Sequence, residues 1–166
     1  MTDIADIAAF LTARLNEDDA FARACPPGPW RLDEDLGSDY GTSAEHDVRV
    51  DAADPEIGRA ATIFFGPGAK AYGEDEVAPY RFVVRFDPAR VLAEVAAKRR
   101  ILARHRPLAV ANPGAVYADG SNADACHGCG DAEWDRYPIP VGDCPELRDM
   151  AAVYADGPGY HESWRV

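Results

Sequence analysis

Tyr80-Arg81-Phe82-Val83-Val84-Arg85-Phe86, followed at once by Asp87-Pro88, sets one kind of chain periodicity against another. Tyr80, Phe82, Val84 and Phe86 alternate with Arg81, Val83 and Arg85, a period of two that predicts a strand with one buried face. Asp87 then offers a capping acceptor, and Pro88 sits where a missing amide costs nothing, so a helix is predicted to start there. Upstream, His46-Asp47-Val48-Arg49-Val50 and Arg59-Ala60-Ala61-Thr62-Ile63-Phe64-Phe65 have strand character, and Trp30 anchors the region. Residues 30–86 therefore read as a small antiparallel sheet. The acid-rich stretch from Gly66 to Pro79 reads as a loop, and no Gly-rich phosphate-binding spacing occurs in the chain.

Downstream, Val91, Val95, Lys98, Leu102 and His105 step by four, three, four and three, which places His105 at the end of an inward stripe before Pro107 stops the helix. Arg90, Arg100 and Arg104 form a ridge on the opposite side, with Arg99 and Arg106 nearby. At the other end of the chain, Ile4, Ile7, Ala8, Leu11, Leu15 and Ala22 share one sector of a helix over residues 3–24, ended by Cys25-Pro26-Pro27-Gly28-Pro29. Residues 107–125 read as loop. A third helix is predicted to begin at Asp143-Cys144-Pro145-Glu146, with Leu147, Met150, Ala151 and Tyr154 on its apolar face and a tail docked through Tyr160 and Trp164. The predicted organisation is a single domain over 1–166: an N-terminal helix over 1–25, the sheet region, a central helix over 87–106 and a metal-binding C-terminal segment over 126–166. In fold class this is α+β, with the sheet packed against the first two helices.

Composition sets limits on function. The 166 residues are 47% hydrophobic and 28% charged, a balance that supports a folded core. The net charge of −12 disfavours non-specific attraction to nucleic acid or an anionic membrane and favours a basic protein partner. Met1-Thr2-Asp3-Ile4 lacks the basic start of a secretory signal, and no segment approaches the run of about 20 apolar residues needed to span a bilayer. A cytoplasmic location is expected, where cysteines are metal ligands or buried thiols sooner than disulfide staples.

Cys126-His127-Gly128-Cys129-Gly130 can turn two thiolates back on one ion, because the glycines relax the backbone between and after them. Cys144, just before a proline-started helix, supplies a third sulfur that the helix dipole would favour as thiolate. Knuckle and helix start resemble the treble-clef zinc arrangement over residues 126–155, but the position one helical turn on is Leu147, which cannot bind metal. His105 is the predicted fourth ligand, with His127, His161 and Cys25 as alternatives. Three thiolates and an imidazole fill a tetrahedron, which points to structural Zn2+ with no open catalytic position; a redox-active or buried thiol cluster and a disulfide are the competing readings. Acid runs such as Asp33-Glu34-Asp35 and Glu74-Asp75-Glu76 read as solvated surface, so no catalytic residue is assigned.

Pro27-Gly28-Pro29-Trp30, Asp87-Pro88-Ala89-Arg90-Val91-Leu92-Ala93-Glu94-Val95, Lys98-Arg99-Arg100-Ile101, His105 and Cys144-Pro145-Glu146-Leu147-Arg148 together resemble an uncharacterised family of unknown function from actinobacteria and their phages. The resemblance covers most of the chain. It implies that His105 belongs with the cysteines, since members often carry that histidine. Where many members have histidines before the Asp-Pro start, this chain has Phe82 and Phe86, which argues against imidazole catalysis there. A phage or mobile-element origin would imply interference with a host process. The expected function is that of a small acidic zinc-binding accessory or regulatory protein acting on a basic protein partner. The alternatives are nucleic-acid binding through the central helix's arginines, or a hydrolase.

Overall fold

Residues 80–85 are helical. In the computed structural model, which describes residues 4–33, 49–52, 74–129 and 139–166, they belong to a helix, α2, that runs Glu74–Arg85. The predicted last strand is thereby overturned, and so is the end of the predicted 66–79 loop, since residues 74–79 form the first turns of the same helix, while 66–73 lie outside the described residues. The physical reason is the spacing of the aromatics. Phe82 and Phe86 lie one helical turn apart with ring centroids 4.6 Å apart, and the Phe86 amide donates to the carbonyls of Phe82 and Val83 at 3.1 Å. A seven-residue apolar run fits either period, and here contacts four residues apart prevail over alternation.

The α+β expectation falls with that strand. Helical turns account for 63% of the described residues, and the strands among them are two four-residue segments, β1 (Trp30–Asp33) and β2 (Arg49–Ala52). They pair as an antiparallel ribbon from Trp30↔Ala52 to Asp33↔Arg49, too short to be the sheet on which two helices were expected to pack. The candidate strand 59–65 lies outside the described residues, as does the 46–48 part of the other one. The remaining helices are α1 (Ile4–Ala24), α3 (Pro88–Arg104), α4 (Leu108–Ala111) and α5 (Pro145–Ala152). Helix α4, within the predicted 107–125 loop, is a single turn of small apolar residues that no periodicity could show. No helix among the described residues is long and apolar enough to cross a membrane.

The chain divides into two compact units, the divisions falling within α1 and α3. The first comprises residues 1–17 and 95–166. Its core takes Ile7, Phe10 and Leu11 from α1, Cys126, Val141 and Cys144 from the turns, and Leu147, Ala151 and Trp164 from the C-terminal part. Burying side chains as large as Ile7, Leu11 and Leu147 stabilises by about 1.5–3 kcal/mol each. Phe10 gathers the tail: its ring lies 5.1 Å from Trp164 and edge-on to Tyr154 and Tyr160. Gly159, at φ +86°, turns the chain beside that ring, where an added Cβ would lie 3.7 Å from it.

The second unit comprises residues 18–94 and is organised by Asp87. Its Oδ1 accepts from the Arg90 amide at 2.8 Å, the helix cap expected of an Asp-Pro start, and its Oδ2 accepts from the Trp30 amide at 3.0 Å. Gly28 allows this approach, because a Cβ there would meet Oδ2 at 2.6 Å.

Candidate metal centre

Three separate pieces of chain build the centre. Helix α3 carries the inward stripe on which Val95 is buried and Leu102 packs against the core, and His105 follows it in the same register, buried. The next segment returns antiparallel to it, with bridges Pro107↔Cys126 and Ala125↔Pro140. Its backbone is tied on both sides: the His127 amide donates to the Arg106 carbonyl at 3.0 Å, and the Cys126 amide to the Ile139 carbonyl at 2.7 Å. A 3-10 turn, His127–Cys129, folds the two thiols onto one point. Gly128 lies against the imidazole so closely that a Cβ would fall 2.8 Å from His105 Cγ and Nδ1. The third piece is Cys144, the residue preceding α5, buried in the same core as Leu147 and Val141.

The four ligand atoms lie within 4.8 Å of one another. His105 Nδ1 is 3.4 Å from Cys126 Sγ, 3.8 Å from Cys129 Sγ and 3.3 Å from Cys144 Sγ, and Cys129 Sγ is 3.5 Å from Cys144 Sγ. Zinc bond lengths of about 2.3 Å to sulfur and about 2.0 Å to nitrogen give tetrahedral edges of about 3.8 Å and about 3.5 Å, close to these four separations. All four cysteines are free in this structure. The cluster is therefore able to hold a metal ion such as zinc, and its soft donor set suits that ion.

The other candidate ligands lie outside the cluster. His127 is exposed and contributes only its backbone; His161 caps the 3-10 turn Glu162–Trp164, its Nδ1 accepting from the Ser163 amide at 3.2 Å; Cys25 is exposed. Leu147, at the position of the missing treble-clef ligand, is a core residue instead.

Electrostatics in the cluster run against isolated thiolates. Burial pushes the Cys144 thiol up to about 11, overcoming the downward pull of the Leu147 amide at the helix start. The helix start does favour the Cys144 thiolate, through the Leu147 amide, but desolvation outweighs that pull. Burial, then contact with Cys144 and Cys126, raises Cys129 as well. A dication relieves both penalties at once.

One contact escaped the sequence reading. Glu146 Oε2 lies 3.3 Å from Cys144 Sγ and 3.5 Å from Cys129 Sγ. Its carboxyl is held below the usual range by its own backbone amide first and by the Cys144 thiol next. Its place two residues beyond Cys144, in the first turn of α5, was the available signal.

Comparison with known proteins adds a family without an activity. No curated protein and no solved structure matches the chain. A family model does match residues 4–166, and by that match the chain belongs to the family of unknown function DUF6221.

Proposed function

We propose that His105, Cys126, Cys129 and Cys144 hold a structural zinc ion, and that the protein is an accessory or regulatory protein that acts by binding another macromolecule. The observation that carries this reading is the convergence of four soft donors from three chain segments at tetrahedral separations. Four protein donors complete the shell and leave no position for a water or substrate, so the ion's contribution is to cross-link the chain. It would join the end of α3, the 126–129 turn and the start of α5, adding a cross-link to the backbone hydrogen bonds and shared apolar core that already bring these segments together. Zinc when bound supplies only this cross-link and the charge that holds three thiolates together.

Elemental mass spectrometry of the purified protein, with thermal unfolding before and after chelation, tests the proposal. One zinc per chain and a large fall in melting temperature on chelation are expected. Protein purified from zinc-supplemented cells that carries no metal, or whose unfolding ignores the chelator, overturns it.

A further inference from the structure

The stretch 98–106, which leads into the metal cluster, has the opposite charge to the molecule. Five of the chain's 17 basic residues lie within 98–106, and no acidic residue occurs between Glu94 and Asp119, in a chain whose net charge is −12. These cations divide by task. Lys98 lies over the Tyr154 ring, 5.6 Å from its centroid, and Arg99 donates to Asn16 Oδ1 at 2.8 Å, so both serve packing within the first unit. Arg100, Arg104 and Arg106 are exposed, and none of their side chains has a hydrogen-bond or ion-pair partner among the described residues. Arg100 and Arg104 are one turn apart on the side of α3 away from the Val95–His105 stripe, about 6 Å along the axis.

The metal cluster fixes this surface. The Arg104 carbonyl lies against Gly128, the Arg106 carbonyl accepts from the His127 amide, and His105 between them is a ligand of the cluster. Among the described residues, three exposed arginines within seven positions of sequence have unpaired side chains on a clamped backbone, and this stretch presents an anion-binding face. Guanidinium groups suit phosphate oxygens, which they bind in bidentate fashion. At physiological ionic strength charges beyond about 8 Å are screened, so the local arginines govern contact while the net charge only slows approach.

The geometry points to Arg100, Arg104 and Arg106 as a docking face for the phosphodiester backbone of nucleic acid, without base reading. This rests on the zinc proposal only in that the cluster holds the face rigid. The net charge had favoured a basic protein partner; the charge at this one surface favours a polyanion instead.

Fluorescence anisotropy with labelled 20-nucleotide single-stranded and duplex probes, titrated with salt, decides the matter on protein whose metal content is measured in the same sample. R100E/R104E is compared with R23E/R165E, which changes net charge equally through two exposed residues outside the face. Wild type and R23E/R165E are expected to bind alike, and R100E/R104E is expected to lose about tenfold or more, with a log–log salt slope shallower by about 2. Equal binding by both double variants overturns the face. So does no binding at low salt by folded protein, or equally tight capture of poly-glutamate. Arginine-dependent binding by protein that contains no zinc would keep the face and reject the metal reading.

Discussion

Each unit of the molecule is organised around buried polar side chains, and the two differ in how those side chains are satisfied. Asp87, in the 18–94 unit, receives two backbone amides and needs nothing from outside the chain. In the other unit His105, Cys126 and Cys144 are buried against one another and Cys129, with their ligand atoms turned to a common point. Thiols and imidazole are weak partners for each other, and burial raises Cys144 and Cys129 away from the charged form. A capping carboxylate is complete within the fold; a Cys3His cluster becomes complete by binding a cation. The contrast places the cluster that could take up a cation in the first unit.

The contrast is broken most directly at Cys144. C144S removes a soft donor from a buried position, and we expect loss of stoichiometric zinc and destabilisation by about 4 kcal/mol or more. Hydrogen exchange locates the damage: the amides of Leu108, Cys126, His127 and Val141, which close the turns around the cluster, should lose protection. The Trp30 and Arg90 amides bound to Asp87 should keep theirs. Uniform loss across both sets would show that the two units do not differ in this way.

G128A probes the same site more gently. The new Cβ would meet the imidazole at 2.8 Å and the Arg104 carbonyl at 2.9 Å, so His105 must move. Zinc affinity measured by chelator competition is expected to fall about 10- to 100-fold, the range seen when support for a ligand is disturbed. Unchanged affinity would mean that the histidine is not held where the structure has it.

At Asp87 the expected loss is smaller and leaves the metal alone. D87A removes the cap of α3 and the acceptor of the Trp30 amide, a destabilisation of about 1–2 kcal/mol in denaturant unfolding with zinc content unchanged. D87N, which keeps a side-chain oxygen, should recover part of it.

The same contrast explains what could be read from the residues alone. Asp87-Pro88 is a local signal, and so are the α1 and α3 stripes, because a cap and a helical face are set by neighbours three or four residues away. His105 was legible because a stripe gave its direction, and the cysteines because Gly128 and Gly130 permit the turn. Residues 80–86 were misread because alternation of large apolar residues is compatible with a helix when two phenyl rings can stack at i, i+4. The raised Cys144 thiol was out of reach for another reason. The dipole of α5 is visible in the sequence, whereas the desolvation that outweighs it comes from the buried core that Cys144 shares with Leu147, Val141 and Trp164. Local order is written locally, and burial emerges only from the assembled unit.

The smallest expected effect concerns Glu146, where two roles of one carboxylate oppose each other. A negative side chain in the first turn of α5 favours that helix by about 0.3–1 kcal/mol. The same charge sits 3.3 Å and 3.5 Å from two sulfurs that become thiolates on a metal, and there it repels them. With three thiolates around a dication the centre already carries a net negative charge, so the carboxylate weakens binding while it supports the helix. E146Q removes the repulsion and offers an amide N–H to sulfur in its place. Zinc affinity by chelator competition should therefore rise, by about two- to tenfold given that Glu146 is exposed and screened by solvent. The price appears in the helix: exchange of the amides of α5 should quicken slightly. If affinity falls instead, the carboxylate's support of the Cys144 turn outweighs its charge, and the centre depends on the helix start more than on electrostatics.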